Sequence, residues 1–534
     1  MTNNKLTPLL YLSFVLLIIF IYFFNIGNYG LLDKDEPRYT SCALEMLEKN
    51  NWVVPKFNFQ NRFDKPPLFY WLIGTSYKLL GVSDFTSRLP SAFCAVLTIL
   101  FTWFVSNKIF GRTIGFMSAI ILATSIEFML LGRRAATDMA LCFFFSGSLY
   151  SIILGYFLKD FRLKIIWVCT AGVFAGLSVL TKGPVGIVLP LIILSFFLVL
   201  RKQFDIKHLK TYFLICFFSL VICLPWFIRV HIATDGEFTN EFFLTHNIKR
   251  FASVVGEHPG PLWFYIPVVL CGFMPWTIFL IVSLFYLTKY LLTKKINKFI
   301  LFNLIWVLVV FLFFSFSKTK LATYILLIFP PLAQISAYWI SVIGRKNLNN
   351  IKKMIYCTLF LTIPAISYGA YLVSRWKLDV TEKNALLFKM LVYVLLLFFI
   401  LFVSLSRSKK YHTLIYLFSL SLSVPFVLGL NSYLVNYYNY THSDLRDFAR
   451  IARAKQGKEI ISFGMYRPSL VYYSRIPVDF EDKKLQIKKI KGLAGKNEKI
   501  FIVGHTSDIE KHKELFKKIR ILEKRKKYFM GAVS

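Results

Sequence analysis

The sequence predicts an all-α polytopic membrane protein with surface helices on one face and a small C-terminal α/β domain, and three observations lead there. Of 534 residues, 56% are apolar and 17% charged, against about a quarter charged in a soluble chain. Apolar runs recur at lengths near the roughly 20 residues a helix needs to cross a bilayer core. The charged minority is lopsided, 64 Lys and Arg against 28 Asp and Glu for a net charge of +36, and its basic members lie between the apolar runs. That distribution excludes a soluble enzyme, a disordered basic chain and a nucleic-acid binder, whose positive charge would gather on one domain.

Thirteen runs read as spans: 8–26, 87–106, 113–131, 139–157, 165–180, 184–200, 211–229, 262–288, 299–316, 321–343, 354–373, 386–405 and 412–432. The first follows Lys5 but is long and lacks a small-residue cleavage site, so it reads as an uncleaved anchor. Basic residues cluster in alternate loops, among them Lys108 with Arg112, Arg201 with Lys202, Arg345 with Lys346 and Arg407 with Lys409. The positive-inside rule makes those loops, and the N-terminus, cytoplasmic. Residues 27–86, 230–261 and the tail then face outward. The expected organisation is a membrane domain over 1–436, carrying those two external loops, and a soluble α/β domain over 437–534.

Within the tail, Ser443-Asp444 can cap a helix running to about Gln456. β-prone runs follow at Glu459–Phe463, Leu470–Tyr473 and Lys499–Val503, then a helical run near Asp508–Ile519. Its lysine-rich face suits either anionic headgroups or plain solvation. The eight cysteines show no CxxC or zinc spacing and read as small apolar fillers.

The informative charges are the external ones, which topology does not require. The first external loop carries Asp33-Lys34-Asp35-Glu36-Pro37-Arg38-Tyr39 and then Asn61-Arg62-Phe63-Asp64-Lys65-Pro66-Pro67, followed by Phe69-Tyr70-Trp71. Pro37 suits a first helical turn, and Asp35 has the alternative role of helix cap. The aromatic triplet reads as an interfacial anchor. Further external charges recur at span ends: Arg133, Arg134, Asp138, Lys182, Lys318, Lys320, and His246, Lys249 and Arg250 in the second loop. Glu127, seven residues before Arg134, is placed to neutralise it. Each cation taken singly reads as a snorkelling side chain; so many against the orientation bias point to a bound anion, with phosphate the natural candidate. Asp35 and Asp64, beside His246, suit acid–base chemistry or a divalent cation. No P-loop and no GxGxxG occurs, so phosphate handling on the outer face calls for a pre-activated donor such as a lipid-linked phosphosugar.

Taken in order, Asp35-Glu36-Pro37-Arg38-Tyr39, Arg62-Phe63-Asp64-Lys65-Pro66-Pro67, Thr181-Lys182-Gly183, His246-Asn247-Ile248-Lys249-Arg250-Phe251 and Lys318-Thr319-Lys320-Leu321-Ala322-Thr323-Tyr324 resemble the bacterial lipid A aminoarabinose transferase family, membrane glycosyltransferases of the GT-C class related to protein O-mannosyltransferases. The likeness runs from about residue 30 to 340. It implies about thirteen transmembrane helices with a periplasmic C-terminal domain, in the bacterial inner membrane with the N-terminus cytoplasmic. It implies transfer of 4-amino-4-deoxy-L-arabinose, or a related sugar such as galactosamine, from undecaprenyl phosphate to lipid A phosphate, which confers resistance to cationic antimicrobial peptides.

By the same resemblance Asp35 and Asp138 take catalytic positions. Lys65, Lys182 and Arg250 hold phosphate, supported by Lys318 or Lys320, and Arg38, Tyr39, Tyr70, Arg133 and Tyr324 complete the substrate-binding set. No cofactor is required. A divalent metal, Zn or Mg/Mn, on Asp64 and His246 stays open, and Asp64 stands where the family usually has the longer Glu. Ala322 likewise stands where Pro is frequent. Two other readings remain: a GT-C transferase with a protein or glycan acceptor, and a transporter of lipid-linked sugars.

Overall fold

The computed structural model describes residues 8–249, 253, 259–293, 296–360, 410–493, 499–517 and 519–533. Its first helices are α1 (Pro8–Phe23), α2 (Asp35–Glu48), α3 (Leu68–Leu80), α4 (Asp84–Phe110), α5 (Arg112–Ala123), α6 (Ile126–Gly132), α7 (Thr137–Phe157), α8 (Phe161–Lys182), α9 (Val185–Leu200) and α10 (Leu209–Ala233). Among the described residues seven helices are long and apolar enough to cross a membrane, or up to nine if each of two bent pairs is one span; α1 and α9 are apolar but shorter. The all-α polytopic class is therefore borne out. The predicted span 386–405 and most of 354–373 lie outside the described residues.

Two runs read as single spans are broken. The run 113–131 is α5 and α6, set at 67°. Thr124 and Ser125 at the break turn their hydroxyls back onto the Ile120 and Ile121 carbonyls, at 2.6 and 2.7 Å, and such back-bonding bends helices. The run 262–288 splits into Leu262–Gly272 and Thr277–Leu291, bent by 119°. Pro275 sits in that break and has no N–H to continue a helix.

The chain divides into two compact bodies: Met1–Phe24 with Phe63–Leu68 and Leu89–Ser432, and Asn25–Arg62 with Phe69–Arg88 and Tyr433–Ser534. The division thus differs from the expected single boundary at 436, because most of the first external loop groups with the tail.

In the first body α7 packs along α8, and α8 along α10. The second contact depends on two glycines one turn apart. A Cβ on Gly172 would stand 2.8 Å from the Ile215 carbonyl oxygen, and one on Gly176 2.7 Å from that of Ser219. Small residues at this spacing let helix backbones approach closely in a membrane.

In the second body a short ribbon pairs β1 (Lys56–Phe57) with β2 (Gln60–Asn61). The tail forms a five-stranded sheet from β3 (Glu459–Ser462), β4 (Val478–Asp479), β5 (Ile500–His505), β6 (Ile519–Lys524) and β7 (Tyr528–Val533), ordered β4-β3-β5-β7-β6. The β3 pairings are parallel and the β7 pairings antiparallel. Its core gathers Ile461, Phe463, Ile502, Phe516 and Phe529. The α/β expectation holds, with one exchange: Leu470–Tyr473, read as a strand, lies in the helix Ser469–Ser474. All six residues of that helix are buried, and a short run buried all round carries no period to separate helix from strand. The helix Ser443–Ala454 is present as expected, but its N-cap is His442 and no side chain caps it.

Candidate active site

Antiparallel packing brings the start of α7 and the end of α8 to the same end of the first body. Asp138 lies in the first turn of α7 and Lys182 is the last residue of α8, each where its charge complements the helix dipole. Gly183 terminates α8 at φ 100°, a backbone state that suits Gly and accounts for its place in Thr181-Lys182-Gly183. Lys182 Nζ donates to Asp138 Oδ1 at 2.6 Å and stands 4.6 Å from the Tyr324 ring centre. Tyr324 comes from the 3₁₀ segment Ala322–Ile328, whose Thr323 hydroxyl also bonds Asp138. Asp138, Lys182 and Tyr324, far apart along the chain, are thus one cluster. The ammonium has three donors and one is engaged by Asp138, so it can still grip an anion. Arg134 adds positive potential at Asp138. Glu127 does not neutralise Arg134: among the described residues no ion pair joins them, and its Oε2 is buried without a hydrogen bond.

Two expected substrate cations are occupied structurally. Arg133, 1% exposed, donates to the carbonyls of Ile21 and Phe24 at the end of α1, the latter at 2.8 Å. Lys320, 4% exposed, donates to the carbonyls of Ser315 and Ser317 at 2.6 and 2.8 Å, finishing the helix Lys298–Phe316. Burial and the neighbouring Lys318 charge lower its pKa. Lys318 is exposed. Arg250 lies outside the described residues.

Lys65 also belongs to the first body, buried with its Nζ on the Asp64 carbonyl oxygen at 2.8 Å. His246 sits in a π-helix, Glu241–Lys249, with Nε2 3.3 Å from Glu241 Oε1. Burial lowers its pKa, against an opposing pull from Asp64. Asp64 and His246 therefore feel each other, yet among the described residues no three His, Cys, Asp or Glu side chains gather to hold a metal.

The second body holds Asp35, Arg38, Tyr39 and Tyr70. Helix α2 begins at Asp35 itself; its N-cap is Lys34, with no side-chain cap. Asp35 is thus not the cap: its carboxylate is 61% exposed, 4.0 Å from Arg38. Tyr39 packs edge-on against Phe69 and beside Tyr70, with the Arg62 guanidinium 5.2 Å from its ring centre. The triplet Phe69-Tyr70-Trp71 is not an exposed anchor: Phe69 and Tyr70 are fully buried, and Trp71 Nε1 donates to the Trp52 carbonyl oxygen at 2.8 Å.

What sequence reasoning missed is the frame that orients α2. Arg88 and Glu36, both fully buried, form a two-bond pair, Nε to Oε1 at 2.9 Å and Nη2 to Oε2 at 2.7 Å. Arg88 also donates to the carbonyls of Ile26, Tyr29 and Gly30, at 2.7, 2.9 and 2.9 Å, and Leu32 N–H donates to Glu36 at 2.9 Å. The loop before α2 is wrapped around one ion pair. Asp33, buried, accepts from Ser469 N–H and Oγ at 2.8 and 2.7 Å, which fastens the loop to the tail. Burial raises its pKa. Glu45 is a second carboxylate not singled out earlier; burial pushes it up to about 7. Alternating hydropathy carries no sign of any of these, although the Asp-Glu-Pro-Arg order did place an unexplained carboxylate beside Asp35.

A profile for dolichyl-phosphate-mannose-protein mannosyltransferases matches residues 64–228. The undecaprenyl phosphate-α-4-amino-4-deoxy-L-arabinose arabinosyl transferase of Shewanella sediminis is 29% identical over 374 residues, covering 69% of this chain and 66% of that protein. The like-named protein of Pectobacterium atrosepticum is 30% identical over 329 residues, covering 61% and 58%. The match spans less than two thirds of the length of each of these relatives. Among solved structures, ArnT from Cupriavidus metallidurans bound to undecaprenyl phosphate superposes with a TM-score of 0.84 at 19% identity, over 98% of both chains. An oligosaccharyltransferase from Archaeoglobus fulgidus reaches 0.55 at 13% identity, over 96% of this chain and 71% of that one. The chain has the fold of these solved structures, and its sequence is similar to the aminoarabinose transferases over about two thirds of its length.

Proposed function

We propose that this homologue of the aminoarabinose transferases moves an amino sugar, 4-amino-4-deoxy-L-arabinose or a close relative, from undecaprenyl phosphate to a lipid A phosphate at the outer face of the bacterial inner membrane. The observation that carries the reading is the Asp138–Lys182–Tyr324 cluster: a cation held between a carboxylate and an aromatic face, with donors left for phosphate. In the reaction an acceptor phosphate oxygen forms the new bond to the anomeric carbon. The bond from that carbon to the donor phosphate oxygen breaks, and its electron pair leaves on undecaprenyl phosphate. Lys182 stabilises the charge that grows there, with Lys65 and Arg250 as further phosphate ligands. The acceptor is already anionic, so no strong base is needed. By the resemblance of their motifs Asp35 is assigned to the sugar, by its amino group or its cationic carbon, and Arg38, Tyr39 and Tyr70 to substrate binding.

Incubating purified protein with synthetic undecaprenyl-phosphate aminoarabinose and lipid A, read by mass spectrometry, tests this; the expected product is lipid A carrying the sugar, with undecaprenyl phosphate released. A second acceptor class is favoured by the match to a protein mannosyltransferase profile over 64–228. Modified protein or glycan, with lipid A untouched, would establish that one instead.

A further inference from the structure

A cavity of about 580 Å³ in the first body lies at the far end of α8 from Lys182. Lys164, on its lining, stands eighteen residues before Lys182, about 27 Å along a helix rising 1.5 Å per residue. The charge pattern assigns this end to the cytoplasm. Three lysines face the cavity, Lys164, Lys202 and Lys298, against one carboxylate, Asp205.

The positive-inside bias accounts for basic residues in these loops but not for where they stand. Lys202 adopts φ 53°. It closes α9 with Lys202 N–H on the Val199 carbonyl oxygen and Gln203 N–H on that of Leu198, both at 2.9 Å. That left-handed closing position is normally given to Gly. Lys298 is the first residue of the helix Lys298–Phe316, and Lys164 lies in the first turn of α8, where the helix is already positive and disfavours cations. Three lysines thus sit against local preference and converge on one space. Beside them Nδ1 of His208 is buried without a hydrogen-bond partner among the described residues. The same cavity is bordered by Phe157 and Phe204, and Phe204 and the adjacent Ile206 are 62% and 80% exposed. Charge within and bare apolar surface at the rim is the chemistry of a phospholipid.

We propose that this cavity binds an anionic phospholipid bearing two phosphates, with its headgroup between Lys164, Lys202 and Lys298 and its acyl chains against Phe157, Phe204 and Ile206. Two phosphodiesters match the excess of two positive charges; a single-phosphate lipid leaves one uncompensated. The assignment is independent of the transfer reaction at the other end of α8.

The test is native mass spectrometry of the full chain released from micelles containing cardiolipin or phosphatidylglycerol, with inorganic phosphate as competitor. Cardiolipin is expected to be retained over phosphatidylglycerol and to resist millimolar phosphate. The variant Lys164→Gln/Lys202→Gly/Lys298→Gln should lower its affinity about a hundredfold, near fivefold per lysine; Lys202→Gly also relieves the backbone, which favours folding. The control Lys346→Gln/Lys352→Gln/Lys353→Gln removes equal charge from the same face and should leave binding within about twofold. Equal loss in both variants, equal retention of both lipids, or displacement by phosphate would each overturn the proposal.

Discussion

Arg88 is where a single substitution should cost most outside the candidate site. Arg88→Met removes five hydrogen bonds, two to Glu36 and three to loop carbonyls, and leaves the fully buried Glu36 carboxylate without its counter-ion. Breaking one partner of a buried pair costs about 3–5 kcal/mol. Removing both charges costs less, because the survivor's desolvation penalty disappears. The double variant Arg88→Met/Glu36→Gln should therefore be more stable than Arg88→Met alone, with a coupling of about 2–3 kcal/mol. The carbonyls of Ile26, Tyr29 and Gly30 remain orphaned, so wild-type stability should not return. Thermal unfolding in detergent and the rate of proteolysis within residues 25–35 provide the readouts for a double-mutant cycle. If Arg88→Met shifted neither, or the two substitutions simply added, the pair would not be the frame that orients α2.

Four further outcomes follow from the geometry. Lys182→Met should cut kcat/KM for sugar transfer about 100- to 1,000-fold by removing a charged donor, and Lys182→Arg should restore little, since the longer planar head does not fit the 2.6 Å contact to Asp138; a rate near wild type for Lys182→Met would remove Lys182 from the mechanism. His442 Nε2 stands 3.8 Å from Asp33 Oδ2, yet burial, Arg467 and Lys527 lower its pKa from 6.5 to about 4, so the unfolded chain takes up its proton first and this contribution to stability is present above pH 6.5 and falls as pH drops toward 4. Asp33, raised by burial, acts in the opposite sense, favouring the fold at acid pH and losing that contribution as pH rises through its raised value; His442→Gln should accordingly flatten the acid side of the unfolding profile, and an unchanged profile would refute the assignment. Gly30→Ala drives a Cβ into the ring of Tyr438, itself 1% exposed, and should destabilise the second body by about 1–3 kcal/mol, measurable as a lower midpoint that Gly30→Ala/Tyr438→Leu partly recovers.

The sequence was legible where a feature depends on composition or on neighbours along the chain. Apolar length fixes that α4, α7, α8 and α10 cross a bilayer, and the small C-terminal α/β domain follows from alternating local propensity. It failed where an outcome depends on partners far apart. Nothing along the chain marks Arg88, and only the folded loop reveals that it holds Glu36 and three carbonyls. Arg133 and Lys320 read as phosphate ligands because they break the charge rule, but a cation satisfies the last carbonyls of a helix equally well, and both are engaged in that way. Asp138, Lys182 and Tyr324 gather because the helix ends that carry them are neighbours, and the antiparallel order of α7 and α8 was already implied by two short-looped spans. Unexpected charge at a span end therefore has two explanations, an external ligand or an internal helix end. Counting unsatisfied carbonyls nearby separates them: Lys182 is the last residue of a helix that Gly183 already closes, so its ammonium is left to Asp138 and to whatever anion arrives.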